Sequence, residues 1–242
     1  MAGHTRLQHS RNIPCVWSAV DPSLHGPCDA GLDCERCVFH ARQRAQLGEA
    51  GMGAWKLFGQ PAAAVVPGDR VYHRRHTWAM ASQPGRVRVG IDRFAAQLIG
   101  RCLSVIFPTP DSHLLAGHPG AWLVDDLGPI PVRMPVSGRL AAVNPILAER
   151  PALVMSEPFG NGWLVEVVCE DAAHELAVLM RSEDMLLRSI DDLLALERQR
   201  LLALHKRDAR VGVTMADGGR SCWPGPTGLD PLVFRRMLLA WL

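Results

Sequence analysis

Short apolar runs broken by glycine and proline fill residues 71–170, and they constrain the fold more than any other feature. The runs are RVRVGID (86–92), CLSVIFP (102–108), AWLVDDL (121–127), GRLAAVN (138–144) and GWLVEVV (162–168). Runs of this length and spacing predict short strands in a small sandwich or barrel. One helix is predicted among them, over residues 92–99, because Asp92 can cap its start and Gly100 can end it.

The segments that flank this region have other patterns. Residues 1–45 are rich in Cys and His, and residues 46–70 are rich in Gly, Ala and Pro. After the strands, apolar residues recur at helical spacing and predict a long helix over residues 182–206: Leu187, Ile190, Leu194, Leu201 and Leu204. A Gly/Pro loop at 213–228 and a short helix within 229–242 follow. We predict a Cys-rich segment (1–45), a connector (46–70), a mainly β domain (71–180) and a helical extension (181–242).

The apolar stripe of the 182–206 helix has two interpretations. It can cover the chain's own sheet, or it can form the face of a homodimer or a partner complex. We favour the first, although a stripe marks burial and does not say against what.

Composition excludes several classes of function. The 26 Lys and Arg residues nearly balance the 24 Asp and Glu residues, whereas a nucleic-acid binder is usually more basic. The chain has no apolar stretch long enough for a membrane span, and its N-terminus lacks the apolar core of a signal peptide. We therefore expect a cytoplasmic protein that binds neither nucleic acid nor membrane and has unidentified protein partners. It has no phosphate-binding glycine motif and no nucleophile with a base, so we do not expect an enzyme.

Four cysteines crowd into the N-terminal segment. They follow the spacing Cys15-x12-Cys28-x5-Cys34-x2-Cys37, and His25 and His40 lie near enough to act as substitute ligands. Four thiolates can hold a tetrahedral Zn²⁺ or, alternatively, an Fe–S cluster. A segment of about 40 residues has little core of its own, so a structural metal would stabilise it. The remaining alternative is free thiols or a redox disulfide, which the C-x-x-C pair also fits.

Four blocks carry a resemblance to a known family. They are HTWA (76–79), RVRVGIDRFAAQLIG (86–100), PVSGRLAAVNPIL (135–147) and EPFGNGWL (157–164), in that order. They resemble the glycine cleavage system H protein family. The resemblance implies a lipoyl-domain fold, which is two antiparallel sheets in a flattened barrel-like sandwich with a helix at one end. The expected fold class is mainly β with flanking helices (α+β). We expect Trp163 to lie in the core.

The family's chemistry depends on a lysine that this chain lacks. In the family, that lysine stands at a hairpin tip, eight residues before the Pro of PVSG, and carries lipoate in amide linkage. With Pro135 as that proline, the position here is Leu127, and the chain's only lysines are Lys56 and Lys206. Arginine cannot substitute, since its guanidinium stays protonated. Lipoate is therefore not expected.

The sequence thus predicts a non-lipoylated interaction or adaptor module with a metal-binding N-terminal segment. Two alternatives stay open. One is a redox or electron-transfer protein that uses an Fe–S cluster or the thiols, and the other is an accessory to, or degenerate carrier of, the glycine cleavage system.

Overall fold

The computed structural model describes residues 13–24, 26–50, 56–208 and 229–242. Contacts within the chain group the residues into two units. The first unit contains residues 1–61 and 189–229, and the second contains residues 62–188 and 230–242. The first unit is therefore assembled from two stretches that flank most of the second in the sequence. The predicted division into four consecutive segments stays a prediction.

In the first unit, helical turns lead into one helix. Short 3-10 helices lie at Val16–Ala19, Pro22–Leu24 and Cys34–Arg36, α1 spans Val38–Ala50, and a hairpin joins β1 (Lys56–Leu57) to β2 (Gln60–Pro61). Trp17 is fully buried in this unit. The sequence pattern does not predict α1, because VFHARQRAQLGEA carries too few apolar residues to form a stripe.

Antiparallel strands form the body of the second unit. They are β3 (Val71–His73), β4 (Thr77–Gln83), β5 (Arg86–Ile91), β6 (Ser104–Ile106), β7 (His113–Leu114), β8 (Pro119–Asp125), β9 (Gly128–Arg133), β10 (Gly138–Val143) and β11 (Val165–Val168). The order is β3-β4-β5-β11-β10-β7 in a six-stranded sheet and β6-β8-β9 in a three-stranded sheet. Each of the five predicted runs contributes one of these strands, and the expected α+β class with antiparallel sheets is confirmed.

The remaining helices lie before, between and after these strands in the sequence. They are α2 (Ala62–Val65), α3 (Arg93–Ile99), α4 (Leu153–Ser156), α5 (Ala172–Ala177), α6 (Ser182–Asp208) and α7 (Pro231–Trp241). The predicted caps of α3 are confirmed: the Asp92 carboxylate accepts a hydrogen bond from the Ala95 N–H at 2.8 Å, and Gly100 has φ +70°. The predicted long and terminal helices are α6 and α7. No helix among the described residues is long and apolar enough to cross a lipid bilayer.

Three of the five residues of the α6 stripe are buried within the single chain, and Leu187 and Leu204 are half-buried. Ile190, Leu194 and Leu201 are at most 5% exposed. The favoured interpretation, that the chain itself covers this stripe, agrees with that burial. From Ser189 onwards, however, α6 belongs to the first unit and not to the unit of the sheets. That this part of the helix covers the chain's own sheet therefore stays a prediction, because a stripe does not specify what it packs against.

The buried tryptophan of the second unit is Trp78 and not Trp163. The Trp78 ring is 1% exposed, and its indole N–H donates a hydrogen bond to the Pro158 carbonyl at 3.0 Å. Trp163 is only half-buried, and the guanidinium of Arg88 lies 4.7 Å from its ring centroid. The expectation that Trp163 is a core residue is wrong, because the ring lies where an arginine stem and guanidinium can cover it.

Candidate functional site

The hairpin between β8 and β9 ends in a two-residue turn. Asp125 pairs with Gly128 across the strands, which leaves Asp126 and Leu127 at the tip. The Leu127 N–H donates to the Asp125 carboxylate at 2.8 Å, and the Leu127 side chain is 58% exposed. Leu127, the position that the resemblance predicted for the carrier lysine, thus lies at a hairpin tip and points an aliphatic side chain toward solvent.

An arginine of α7 holds this tip from the side. Arg235 Nη1 lies 2.5 Å from the Asp125 carboxylate, and its Nη2 donates to the carbonyls of Gly128 and Pro129 at 2.9 Å each. The Arg235 and Asp125 side chains are only 12% and 13% exposed. The guanidinium therefore joins both strands of the hairpin to α7. No sequence signal distinguished Arg235 from the other arginines.

Asp126, the other acidic residue of the tip, has a weaker partner. Arg101 lies 3.4 Å from its carboxylate, and both side chains are about two-thirds exposed. An exposed pair of this kind contributes little to stability. The two tip carboxylates therefore differ: Asp125 is structural, and Asp126 is accessible.

A buried histidine–aspartate pair lies elsewhere in the second unit. His76 Nδ1 is 2.8 Å from the Asp92 carboxylate, the Phe94 ring stacks on the imidazole at 4.3 Å, and neither member of the pair is more than 1% exposed. Asp92 also caps α3. The burial leaves no access for a substrate, so we assign the pair to the fold.

The four N-terminal cysteines lie on well-defined turns of the first unit. A β-bridge between Pro14 and Pro27 places Cys15 and Cys28 on adjacent chain segments, Cys34 starts a 3-10 turn, and Cys37 precedes α1. Two sulfurs accept backbone hydrogen bonds: Cys28 from the Leu32 N–H at 3.2 Å and Cys37 from the His40 N–H at 3.5 Å. Hydrogen bonds from backbone N–H groups favour the ionised form of a thiol.

The thiols act on one another electrostatically. Burial raises the pKa of the Cys15 and Cys34 thiols, and the charges of their neighbouring cysteines raise it further. All four are free thiols. Within the described ranges, however, no three His, Cys, Asp or Glu side chains converge closely enough to hold a metal ion. The cysteines are thus neighbours that do not form a closed ligand set, and Cys222 lies outside the described residues.

Of the two histidines considered as substitute ligands, the structure describes only His40. His25 lies outside the described residues. The Trp17 indole N–H donates to His40 Nδ1 at 3.1 Å. Burial, and then the charges of Arg44 and Arg198, lower the pKa of His40. The neutral ring accepts at Nδ1, so its single proton lies on Nε2 and neither nitrogen offers a free lone pair.

Comparison with known proteins identifies relatives of the second unit. The glycine cleavage H-protein family model matches residues 70–188. The glycine cleavage system H protein of Cronobacter sakazakii is 33% identical over 114 residues, which cover 47% of this chain and 88% of that protein. The Mycobacterium avium H protein is 37% identical over 108 residues, which cover 45% of this chain and 82% of that protein. A crystal structure of the Mycobacterium marinum H protein aligns with a TM-score of 0.44 and 27% identity, covering 49% of this chain and 94% of that one.

Proposed function

Because this chain belongs to the glycine cleavage H-protein family, we propose that it serves as a non-lipoylated interaction module, an adaptor that keeps the family's scaffold without its carrier arm. The observation that carries the proposal is Leu127 at the exposed hairpin tip. Members of this family are carriers and not catalysts, and the adaptor is proposed to be non-catalytic as well.

Lipoate does not fit the residues of this tip. Amide attachment needs an amine, and the tip offers two carboxylates and an aliphatic side chain. The second unit contains no lysine at all, since Lys56 and Lys206 both belong to the first unit. Arg101 and Arg235 near the tip stay protonated and are poor acyl acceptors. No step of a carrier reaction is therefore assigned to this chain.

Because the hairpin tip is fixed, it is better suited to bind a protein partner than to carry a covalently attached group. Arg235 contacts a carboxylate and two carbonyls of the hairpin, so the tip is held as a rigid surface feature. Rigid, exposed apolar residues are suited to protein contacts, because little conformational entropy is lost when they are covered. We propose that Leu127 and the surrounding tip form part of the surface that a protein partner contacts.

Measuring the mass of the intact protein tests whether this chain has lost the carrier role. The wild-type chain is co-expressed with a lipoate–protein ligase and lipoate, alongside Leu127→Lys. We expect no lipoyl adduct on wild type and an adduct on Leu127→Lys, because the variant restores an amine at the aligned position. Leu115→Lys is a matched control, since it places a lysine on another exposed leucine of the same unit. A lipoyl adduct on the wild-type chain would refute the proposal.

The adaptor role is tested by affinity capture with tip variants. A tagged chain is compared with Leu127→Asp and with Val178→Asp, a change at an exposed apolar residue away from the hairpin. We expect a partner that is retained by wild type and Val178→Asp and lost with Leu127→Asp. Equal retention by all three, or retention by none, would contradict a tip-mediated adaptor.

We further propose that the cysteine segment binds a structural metal ion, with Zn²⁺ first and an Fe–S cluster as the alternative. Two N–H···S hydrogen bonds and the mutual electrostatic effect of the thiols support this. A divalent cation would relieve the repulsion that opposes their ionisation and draw the four sulfurs together. Native mass spectrometry of protein purified without oxygen, repeated after denaturation, separates the outcomes. One zinc supports the structural site, iron with sulfide supports electron transfer, and no added mass removes both.

A further inference from the structure

The turn between β3 and β4 displays two arginines side by side. His73 pairs with Thr77 across the two strands, so residues 74–76 form the turn. The Arg75 N–H donates a hydrogen bond to His73 Nδ1 at 3.3 Å, and this contact holds the turn in shape. Arg74 is exposed and Arg75 is half-buried. Two guanidinium groups therefore extend from one short, fixed turn.

The end of β9 brings a third arginine to this turn. The Thr77 hydroxyl donates a hydrogen bond to the Arg133 carbonyl at 3.0 Å, which places the last residue of β9 beside the first residue of β4. Arg133 is half-buried, and it lies at the opposite end of β9 from the hairpin tip. We call Arg74, Arg75 and Arg133 the three-arginine cluster.

Two guanidinium groups of the cluster are anchored by one nitrogen each. Arg75 Nη1 donates to the Ala240 carbonyl at 2.7 Å, and Arg133 Nη1 donates to the Gly117 carbonyl at 3.0 Å. Neither Nη2 has a hydrogen-bond partner in the part of the chain that the structure describes. These groups are thus held in place and still have donors to offer, which lowers the entropy that a bound ligand must cost.

The three-arginine cluster is not paired with a carboxylate. Within the described ranges, none of its members forms an ion pair, whereas Arg139 and Arg235 of the same unit each contact an aspartate. Burial, and then the charges of neighbouring arginines with Arg133 first, lower the pKa of Arg75. The positive charges therefore repel one another, and a bound anion would relieve that repulsion.

We propose that the three-arginine cluster is a binding site for a phosphate group. A phosphate carries up to two negative charges and several acceptor oxygens, so it matches three guanidinium groups better than a single carboxylate does. The phosphate can be free or part of a small phosphate ester, because the cluster recognises the group that both share. The site lies apart from the hairpin tip and does not depend on the proposed adaptor role.

Isothermal titration calorimetry of the full chain with inorganic phosphate, at low ionic strength, tests the site. We expect saturable binding at one site in the wild type and about 10-fold weaker binding in Arg74→Gln and in Arg133→Gln, because each loses a charge-assisted hydrogen bond. Arg133→Lys should lose less, since lysine keeps the charge without the planar fork. Arg139→Gln is the matched control, because it removes an exposed arginine of the same unit, and its affinity should stay within about twofold of wild type.

Arg74→Gln separates binding from folding, because Arg74 is exposed and makes no hydrogen bond to any described residue. Glycerol phosphate and acetate are titrated in parallel. Tighter binding of glycerol phosphate than of inorganic phosphate supports a phosphate ester as the ligand, and equal or weaker binding supports free phosphate. Acetate that binds as tightly as phosphate would overturn the assignment to phosphate. Unchanged affinity in both glutamine variants, or no saturable binding to the wild type, would overturn the site itself.

Discussion

Glu166 lies on β11 opposite Arg88 of β5 and takes part in a small polar cluster. Its carboxylate accepts hydrogen bonds from Arg86 at 3.0 Å and Ser82 at 2.9 Å, and Arg88 Nη2 lies 3.5 Å away. Burial alone would raise the pKa of Glu166, but these hydrogen bonds and charges outweigh it and hold the pKa below its ordinary value. The ionised form is therefore stabilised by folding.

A lowered pKa makes this stabilisation dependent on pH. It is fully present above the ordinary pKa of glutamate, about 4.3, and is lost as the pH falls through the lower value of the folded state. We expect Glu166→Gln to cost about 2 kcal/mol at pH 7, with a deficit that shrinks progressively below pH 4.5. Urea unfolding of both proteins from pH 7 to pH 3 measures it. A deficit independent of pH would show that the charge of Glu166 does not contribute.

Gly138, at the start of β10, has a backbone that no other residue can adopt there. Its φ is +154°, and a Cβ would lie 2.3 Å from the Val168 carbonyl oxygen. We expect Gly138→Ala to lower the free energy of unfolding by more than about 3 kcal/mol, because the strand pair must separate. Gly100→Ala is the control: φ is +70° and no atom lies within 4 Å, so a Cβ strains the backbone there without a clash and should cost less than Gly138→Ala. Equal losses in urea unfolding would contradict the clash.

Some individual residue roles could be predicted from the sequence, and others could not. Asp92 and Gly100 were predictable as caps, because capping depends on residue type and position alone. Leu127 was predictable as a tip residue only through the family resemblance, which implies a hairpin tip eight residues before Pro135. Arg235 was not, because it owes its role to partners more than 100 residues away in the sequence.

At the scale of elements, side-chain contacts join α7 to the β8–β9 hairpin. Arg235 and Asp125 are more than 100 residues apart in sequence, and their buried contact keeps the hairpin tip against the helix. The edge contact between the Phe94 and Trp241 rings, with centroids 6.2 Å apart, secures the far end of α7. The tip surface proposed for partner contact therefore depends on α7.

Breaking this connection should loosen the hairpin. We expect Arg235→Gln to destabilise the second unit by about 3 kcal/mol, because it leaves the half-buried Asp125 carboxylate unpaired. Amide exchange at Leu127 and Ile130 should accelerate as well. Arg139→Gln, which breaks an exposed pair with Asp111, is the control and should cost less than about 1 kcal/mol. Unchanged exchange at the tip in Arg235→Gln would show that α7 does not hold the hairpin.

Elements with a one-sided apolar pattern or a clear cap were predictable, and those without were not. The stripe of α6 and the caps of α3 are local signals, and both helices were expected. α1 has no such stripe, so its residues were assigned to the predicted Cys-rich segment and connector and not to a helix. Trp163 was misplaced for a related reason: its size predicts burial, but only the opposing strand shows that Arg88 covers the ring.

At the scale of the whole molecule, the first unit and the second should respond differently to metal removal. If the cysteines hold Zn²⁺, a strong chelator removes stabilisation from the first unit alone, since all four cysteines belong to it. We expect calorimetry to resolve two transitions, of which only one moves to lower temperature with chelator. A shift of both transitions, or of neither, would contradict a metal confined to the first unit.

Because the first unit is built from two separate stretches of the chain, its parts are synthesised at different times. On the ribosome, the cysteines of residues 15–37 are made well before α6, and all of residues 62–188 must be synthesised between them. At about 5–20 residues per second, that interval lasts about 6–25 s. During that interval the nascent chain displays the thiols before the rest of their unit exists, so the cell's thiol chemistry and metal supply can reach them before the unit is complete.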